Sequence, residues 1–299
     1  MKQSLGIFFR GMAMGAADLV PGVSGGTVAL ITGIYDRLLS SIASVDVGLI
    51  RCWKEGGIGA VWVRINGAFL MALLCGIGTS VVGLSGMLHH LLEHERMSLY
   101  SFFFGLVGAS IPLVTSEIER WNWRGILGFC FGAALAYSIG SLPPLTVTPS
   151  FGYLFACGAL AACAMILPGI SGSFILLLLG VYSPVIGALK SLDLAIVATV
   201  AAGAISGLLG FSKLLKRWLE RSRNAIMAVL TGLLLGSLQA LWPWKVNALL
   251  LYTHSDGRET WLQTNALPVF QDLANGVVFA ALGAGLVTGM HFIGQRLKP

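Results

Sequence analysis

Asp18-Leu-Val-Pro-Gly-Val-Ser-Gly-Gly-Thr27 is written into this chain twice. The second copy is Met165-Ile-Leu-Pro-Gly-Ile-Ser-Gly-Ser-Phe174, 147 positions later. Pro21, Gly22, Ser24 and Gly25 fall on Pro168, Gly169, Ser171 and Gly172, and the match runs on through Leu30, Gly33 and Tyr35 onto Leu177, Gly180 and Tyr182. Both copies sit between apolar segments. Proline lacks a backbone donor and disfavours helix in the residue before it, so each copy predicts a break in an apolar helix. The glycines permit the turn and leave N–H groups uncovered. Ser24 and Ser171 are placed to cap the helix that restarts. A helix broken at corresponding places in two halves of a membrane chain points to a transporter's binding site.

The composition makes the membrane reading firm. Of 299 residues 56% are hydrophobic and 11% charged, with mean hydropathy +0.83, whereas soluble domains carry about a quarter charged residues. Apolar runs near 65–88, 98–115, 125–142, 193–211, 225–243 and 273–293 each approach the ~20 residues that cross a bilayer. The chain reads as an all-α polytopic membrane protein. Its start has a lysine but no small-residue cleavage site, so no removable signal peptide is expected. The net charge of +6 is spread over short loops between apolar runs, as orientation signals are, and no nucleic-acid partner is expected. Five cysteines (Cys52, Cys75, Cys130, Cys157, Cys163) include no C-x-x-C pair and read as small buried thiols.

Beyond the first break the match resumes at an offset of 127. Gly76, Leu88, Glu93, Arg96, Gly105 and Ser110 meet Gly203, Leu215, Glu220, Arg223, Gly232 and Ser237, while Gly125 and Gly132 meet Gly276 and Gly283 more weakly. A basic loop with Arg51, Lys54 and Arg64, found only in the first half, accounts for the change of offset. Residues 1–142 and 143–299 are therefore expected to be two repeats, broken at 18–27 and 165–174, within one transmembrane domain. Each would hold a broken or re-entrant helix hairpin, made by 4–17 and 24–43 in the first, and about three spanning helices. Irregular backbone at membrane depth is tolerated where protein buries it, and both forms of hairpin remain open. Either way the unit crosses an odd number of times, so the second repeat is expected inverted. Placing both termini, 36–64, 116–124 and 212–224 in the cytoplasm leaves only Arg96, Lys190, Lys245 and Arg258 of 19 basic residues outside, as the positive-inside rule asks.

Two restarting helices entering from opposite faces would bring their N-termini together near the midplane. Each offers unpaired N–H groups and a partial positive charge, a setting for a phosphate or carboxylate. Pro21, Gly22, Ser24, Gly25, Gly26 and Thr27 with Pro168, Gly169, Ser171, Gly172 and Ser173 form the candidate cradle; the plainer alternative is a pair of kinks packed by small residues. Arg10 and Asp18 break the symmetry, since their counterparts are Cys157 and Met165. Ionisable groups inside a membrane point to function: Arg10 to holding the anion, Asp18 to a coupling proton. Their alternatives are a snorkelling interface residue and a local turn cap.

His90-Leu-Leu-Glu93-His94 spells an H-x-x-E-H zinc pattern, but it lies in an expected outer loop with no third ligand in view, and no metal or cofactor is expected. Trp53, Trp62, Trp121, Trp123, Trp242, Trp244 and Trp261 cluster at span ends and read as interfacial anchors. No Walker motif, nucleophile elbow or catalytic carboxylate pair is present, so no enzyme is expected.

Gly15-Ala-Ala-Asp-Leu-Val-Pro-Gly-Val-Ser-Gly-Gly-Thr27 with Gly33-Ile-Tyr35, and Leu167-Pro-Gly-Ile-Ser-Gly-Ser173 with Gly180-Val-Tyr182, resemble the paired motifs of the bacterial polyprenyl-phosphate transporter family. The resemblance covers nearly the whole chain. It implies a flippase that returns undecaprenyl phosphate, the lipid carrier of cell-wall glycans, across the cytoplasmic membrane for reuse. The residues alone also admit a transporter or channel for a small soluble anion, and an intramembrane metal-dependent hydrolase.

Overall fold

A computed structural model describes residues 2–20, 22–253, 259–268 and 270–296. The first part of the chain forms α1 (Lys2–Asp18), α2 (Gly25–Ile31), α3 (Tyr35–Ala43), α4 (Gly48–Arg64), α5 (Gly67–His94), α6 (Arg96–Thr115) and α7 (Trp123–Ser141). The second forms α8 (Phe151–Ile166), α9 (Gly172–Leu178), α10 (Tyr182–Ser191), α11 (Leu194–Ser237) and α12 (Phe270–Arg296), with an antiparallel hairpin of β1 (Lys245–Thr253) and β2 (Glu259–Asn265) before α12. Among the described residues four helices are long and apolar enough to span a membrane, or five if the bent pair α9–α10 counts as one span. This is a helical multi-pass membrane protein.

Both copies of the motif break their helices. Gly22 and Gly169 take φ of 89° and 83°, which carries the chain out of α1 and α8 through a conformation that side-chain-bearing residues avoid. A second turn follows each restart. Gly33 and Gly180, again matched positions, have φ of 70° and 71°, and α9 and α10 meet at 107°. The segment 24–43, read from sequence as one piece, is thus two short helices.

Three stretches expected as loops are helical. The histidine-rich end of the first long span continues α5 to His94, with only Glu95 (φ −126°, ψ 37°) between it and α6. The basic stretch 213–223 lies inside α11, which at 44 residues is ~66 Å long, about twice a bilayer core. Ser222 (φ −150°, ψ 59°) divides it; this residue matches Glu95 at the offset of 127. Helix persists through the charges because Ser212, Leu215 and Leu219 bury one face while Lys216 and Glu220 pair across a turn on the other. The loop of Arg51, Lys54 and Arg64 is α4, bent at Gly57 and without a buried residue.

Glycines set the helix crossings, and the crossings recur at matched positions. A Cβ on Gly11 would strike the Leu73 carbonyl, and one on Gly76 the Phe8 carbonyl, so α1 and α5 meet backbone to backbone. Gly158 against Val200 and Gly203 against Phe155 make the same contact between α8 and α11. Gly105 meets Ala280 and Gly283 meets Phe102, joining α6 to α12; Gly232 meets Phe129 and Gly132 meets Val229, joining α11 to α7. Small residues let backbones approach closely where lipid gives no hydrophobic drive. The last helices of the two parts are therefore exchanged, each packing on the other part.

The main core gathers α2 with α1, α5, α6 and the second stretch of α11, where Val20, Ala29, Leu39, Leu73, Val107, Leu230 and Leu234 are closed off. Some single-residue expectations are corrected. Cys75 and Cys130 face outward, and only Cys157 is fully buried. Trp53, Trp62, Trp121 and Trp123 are exposed, but Trp242 and Trp244 pack on each other at 5.3 Å, and Trp242 donates to the Ala266 carbonyl. The Trp261 side chain, Arg258 and Lys298 lie outside the described residues. The β hairpin was not expected from the sequence; Val246, Tyr252 and Thr253 in β1 and Thr260, Trp261 and Thr264 in β2 are its β-favouring residues.

Candidate functional site

The two breaks lie against each other. The Ser24 hydroxyl donates to the Leu167 and Met165 carbonyls, at 3.2 and 3.3 Å, and accepts from the Gly26 N–H at 3.1 Å. Thr27 Oγ1 accepts from the Gly169 N–H at 3.0 Å, and the Tyr35 hydroxyl donates to the Ile166 carbonyl at 3.1 Å. Each first-motif side chain thus satisfies backbone groups that the second break leaves unpaired. Gly26 is required here, because a Cβ would lie 2.6 Å from the Ile166 carbonyl. Gly169 is similarly confined by Ser237 and the Leu233 carbonyl, and Gly22 faces Ala240 and Leu241.

The two motifs differ in exposure. All of α2, including Gly25, Gly26 and Thr27, is buried together with Ser24. Of α9 only Leu178 is buried. The caps differ likewise. Ser24 caps α2, and Asp18 Oδ1 accepts the Gly25 N–H at 2.7 Å, so the turn-cap alternative for Asp18 holds in the geometry. Ser171 has extended, cap-like dihedrals but makes no cap bond; its hydroxyl meets that of Ser173 at 2.9 Å. The expected Ser171 cap bond is corrected: the hydroxyl pairs with that of Ser173 in the first turn of α9 and makes no bond to a backbone N–H there.

A cavity of about 290 Å³ opens at this uncapped end. Asp18, Ser171, Gly172 and Ser173 bring its polar groups, and Ala161, Ala162, Met165, Leu176, Val200 and Ala204 form an apolar wall. Asp18 is the one ionisable residue among the described residues that line it. The second break and the asymmetric carboxylate of the first are therefore brought together in one chamber. Pro168 is buried behind it. Arg10 is half-buried on α1, about 12 Å along the helix from Asp18, and does not line the chamber. Pro21 lies outside the described residues.

The zinc-like pattern occupies the last turns of α5. The His90 and His94 rings stack at 4.2 Å and His89 pairs with Glu93 at 3.2 Å. Among the described residues no group of three His, Cys, Asp or Glu is placed to hold a metal.

Sequence reasoning missed two roles. Tyr35 bolts the restart of the first motif to the end of α8, and Tyr153 donates to the Leu179 carbonyl at 2.9 Å, holding the turn after α9. The repeated Gly-x-Tyr of the first copy was the available signal for Tyr35; nothing marked Tyr153.

Residues 14–260 match the profile of a family described as undecaprenyl phosphate translocase-like. The chain is similar to the polyprenyl-phosphate transporter of Vibrio cholerae serotype O1, with 45% identity over 264 residues, 88% of this chain and 86% of that one. It is 30% identical to the polyprenyl-phosphate transporter of Staphylococcus aureus over 253 residues, 78% of this chain and 84% of that one. No solved structure matches it.

Proposed function

The chain belongs to the undecaprenyl phosphate translocase-like family, and from that premise we propose that it is a flippase, not an enzyme. It carries undecaprenyl phosphate, or a related polyprenyl phosphate, across the bacterial cytoplasmic membrane, with both termini in the cytoplasm. The observation that carries the reading is the central chamber, where Asp18, Ser171 and Ser173 meet an otherwise apolar wall. A lipid phosphate needs a few polar donors for its head and an apolar flank for its tail.

The phosphate is held at the two breaks. Hydroxyls of Ser171 and Ser173 and the uncapped turn of α9 are the first groups it meets, and Ser24, Thr27 and the glycines of both motifs form the layer behind them. Asp18 carries a coupling proton. An ionised carboxylate beside a phosphate is repelled, so proton uptake at Asp18 accompanies binding of the anion. Arg10 meets the headgroup on its cytoplasmic path.

Residues 1–142 and 143–299 act as inverted repeats that rock about this site. Matched Arg96 and Arg223 support the inversion. Arg96 begins α6, whereas Arg223 pairs with Glu117 just beyond its end, so corresponding residues sit at opposite ends of one helix about 30 Å long.

The test is binding of undecaprenyl phosphate to the purified protein, with undecaprenol and inorganic phosphate as competitors. Binding that requires both tail and phosphate is expected. Full competition by inorganic phosphate, with no contribution from the tail, assigns the site to a soluble anion instead.

A further inference from the structure

Arg96 and Arg223 occupy matched positions in opposite settings. Arg223 is neutralised twice, by Asp36 at 2.9 Å and Glu117 at 3.3 Å. Arg96 has no carboxylate within ion-pair distance among the described residues. Its guanidinium instead lies 5.2 Å from the centre of the Tyr100 ring, and a second cation, Lys245, lies 5.8 Å from the same ring. Of the carboxylates beside it in sequence, Glu93 lies 3.2 Å from His89 and Glu95 accepts from Ser98 at 3.2 Å.

Two like charges around one buried ring oppose each other. Burial, and then the charge of Arg96, lower the Lys245 ammonium to about 8. The Lys245 ammonium is held in place by donating to the Ala240 carbonyl at 2.9 Å, and Ala240 packs against Gly22 of the first break. Beside the pair in sequence, Ser101 Oγ and Trp244 Nε1 are buried with no hydrogen-bond partner among the described residues. The cluster is rich in donors and cations, and among the described residues no carboxylate lies within ion-pair distance of either cation.

We infer that Arg96 and Lys245, flanking Tyr100, form a docking site for a phosphate-bearing headgroup at the end of the bundle opposite the Arg223 clasp. The site is distinct from the central chamber, since neither cation lines it. A phosphate dianion accepts from the guanidinium and the ammonium together, in the charge-assisted geometry that suits both groups. It also offsets the repulsion between the two cations. Resting on the transport reading, the ligand is a lipid phosphate held by Arg96 and by Lys245, whose ammonium donates to the Ala240 carbonyl beside Gly22.

The test uses the full-length protein and two probes. With undecaprenyl phosphate, Arg96→Gln/Lys245→Gln is expected to weaken binding about tenfold and to leave undecaprenol binding unchanged, while Arg223→Gln keeps wild-type affinity. Affinity within twofold of wild type in the double variant overturns the site and leaves the transport reading standing. The second probe is inorganic phosphate, read as protection of Lys245 from amine acylation by mass spectrometry. Slowed labelling of Lys245 in phosphate but not in chloride supports an anion site even if the lipid does not bind, the result that sinks the transport reading alone. Equal labelling in both salts overturns the site.

Discussion

Ser24 donates its hydroxyl to the carbonyl of Leu167, 3.2 Å away and 143 positions along the chain. The two copies of one motif are thereby made into a single structure, in which the buried copy braces the open one. The matched serines therefore have different hydrogen-bond partners in the two copies.

Ser24→Ala removes a donor to two carbonyls and the cap of α2 from a site closed to solvent. A loss of about 1–2 kcal/mol is expected, seen as a lowered Tm in detergent. Ser171→Ala removes a hydroxyl whose one hydrogen-bond partner among the described residues is Ser173, so Tm should barely move while lipid-phosphate binding weakens. Equal destabilisation by the two variants contradicts this division of labour.

Asp18→Asn keeps an oxygen able to accept the Gly25 N–H, so folding is preserved, but it cannot carry a proton. Transport by the wild type in proteoliposomes should respond to an imposed pH gradient, and the Asn variant should not. Asp18→Ala should in addition lower stability by about 1 kcal/mol through the lost cap. An Asn variant that still follows the gradient removes Asp18 from the coupling.

The glycine crossings make a direct test of packing. Gly105→Ala and Gly232→Ala drive a methyl into the Ala280 and Phe129 carbonyls, backbone that cannot give way, and each should lose about 1–3 kcal/mol. Gly78 faces open space, so Gly78→Ala should be neutral or gain about 0.5–1 kcal/mol from helix propensity. Thermal melts of the three variants decide it.

Lys245 gives a pH dependence with a defined sign. Its folded-state value of about 8 lies below its ordinary 10.5, so between these values the unfolded chain binds more protons. Stability attributable to Lys245 therefore rises from pH 8 and levels off near pH 10.5. Measured against Lys245→Met, which has no such group, the wild type should gain stability across that window; a constant difference contradicts it.

Sequence alone determined the class of protein and where its backbone must break. Apolar composition forces a membrane solvent, and proline with glycine at 18–27 and 165–174 interrupts helices whatever surrounds them, because the constraint is local. The exchange of final helices, the persistence of α11 through its charged stretch and the β hairpin were not legible. Each depends on which face another helix or strand covers. Tertiary structure alone decided that the first motif is sealed and the second lines the chamber with Asp18. Two copies that share Pro, Gly, Ser and Gly come to different settings: Ser24 and Thr27 satisfy carbonyls and an N–H of the second break, whereas the Ser171 hydroxyl meets that of Ser173. Whether a buried hydroxyl braces or binds is set by the polar groups within 3.5 Å of it, and those come from residues more than a hundred positions away.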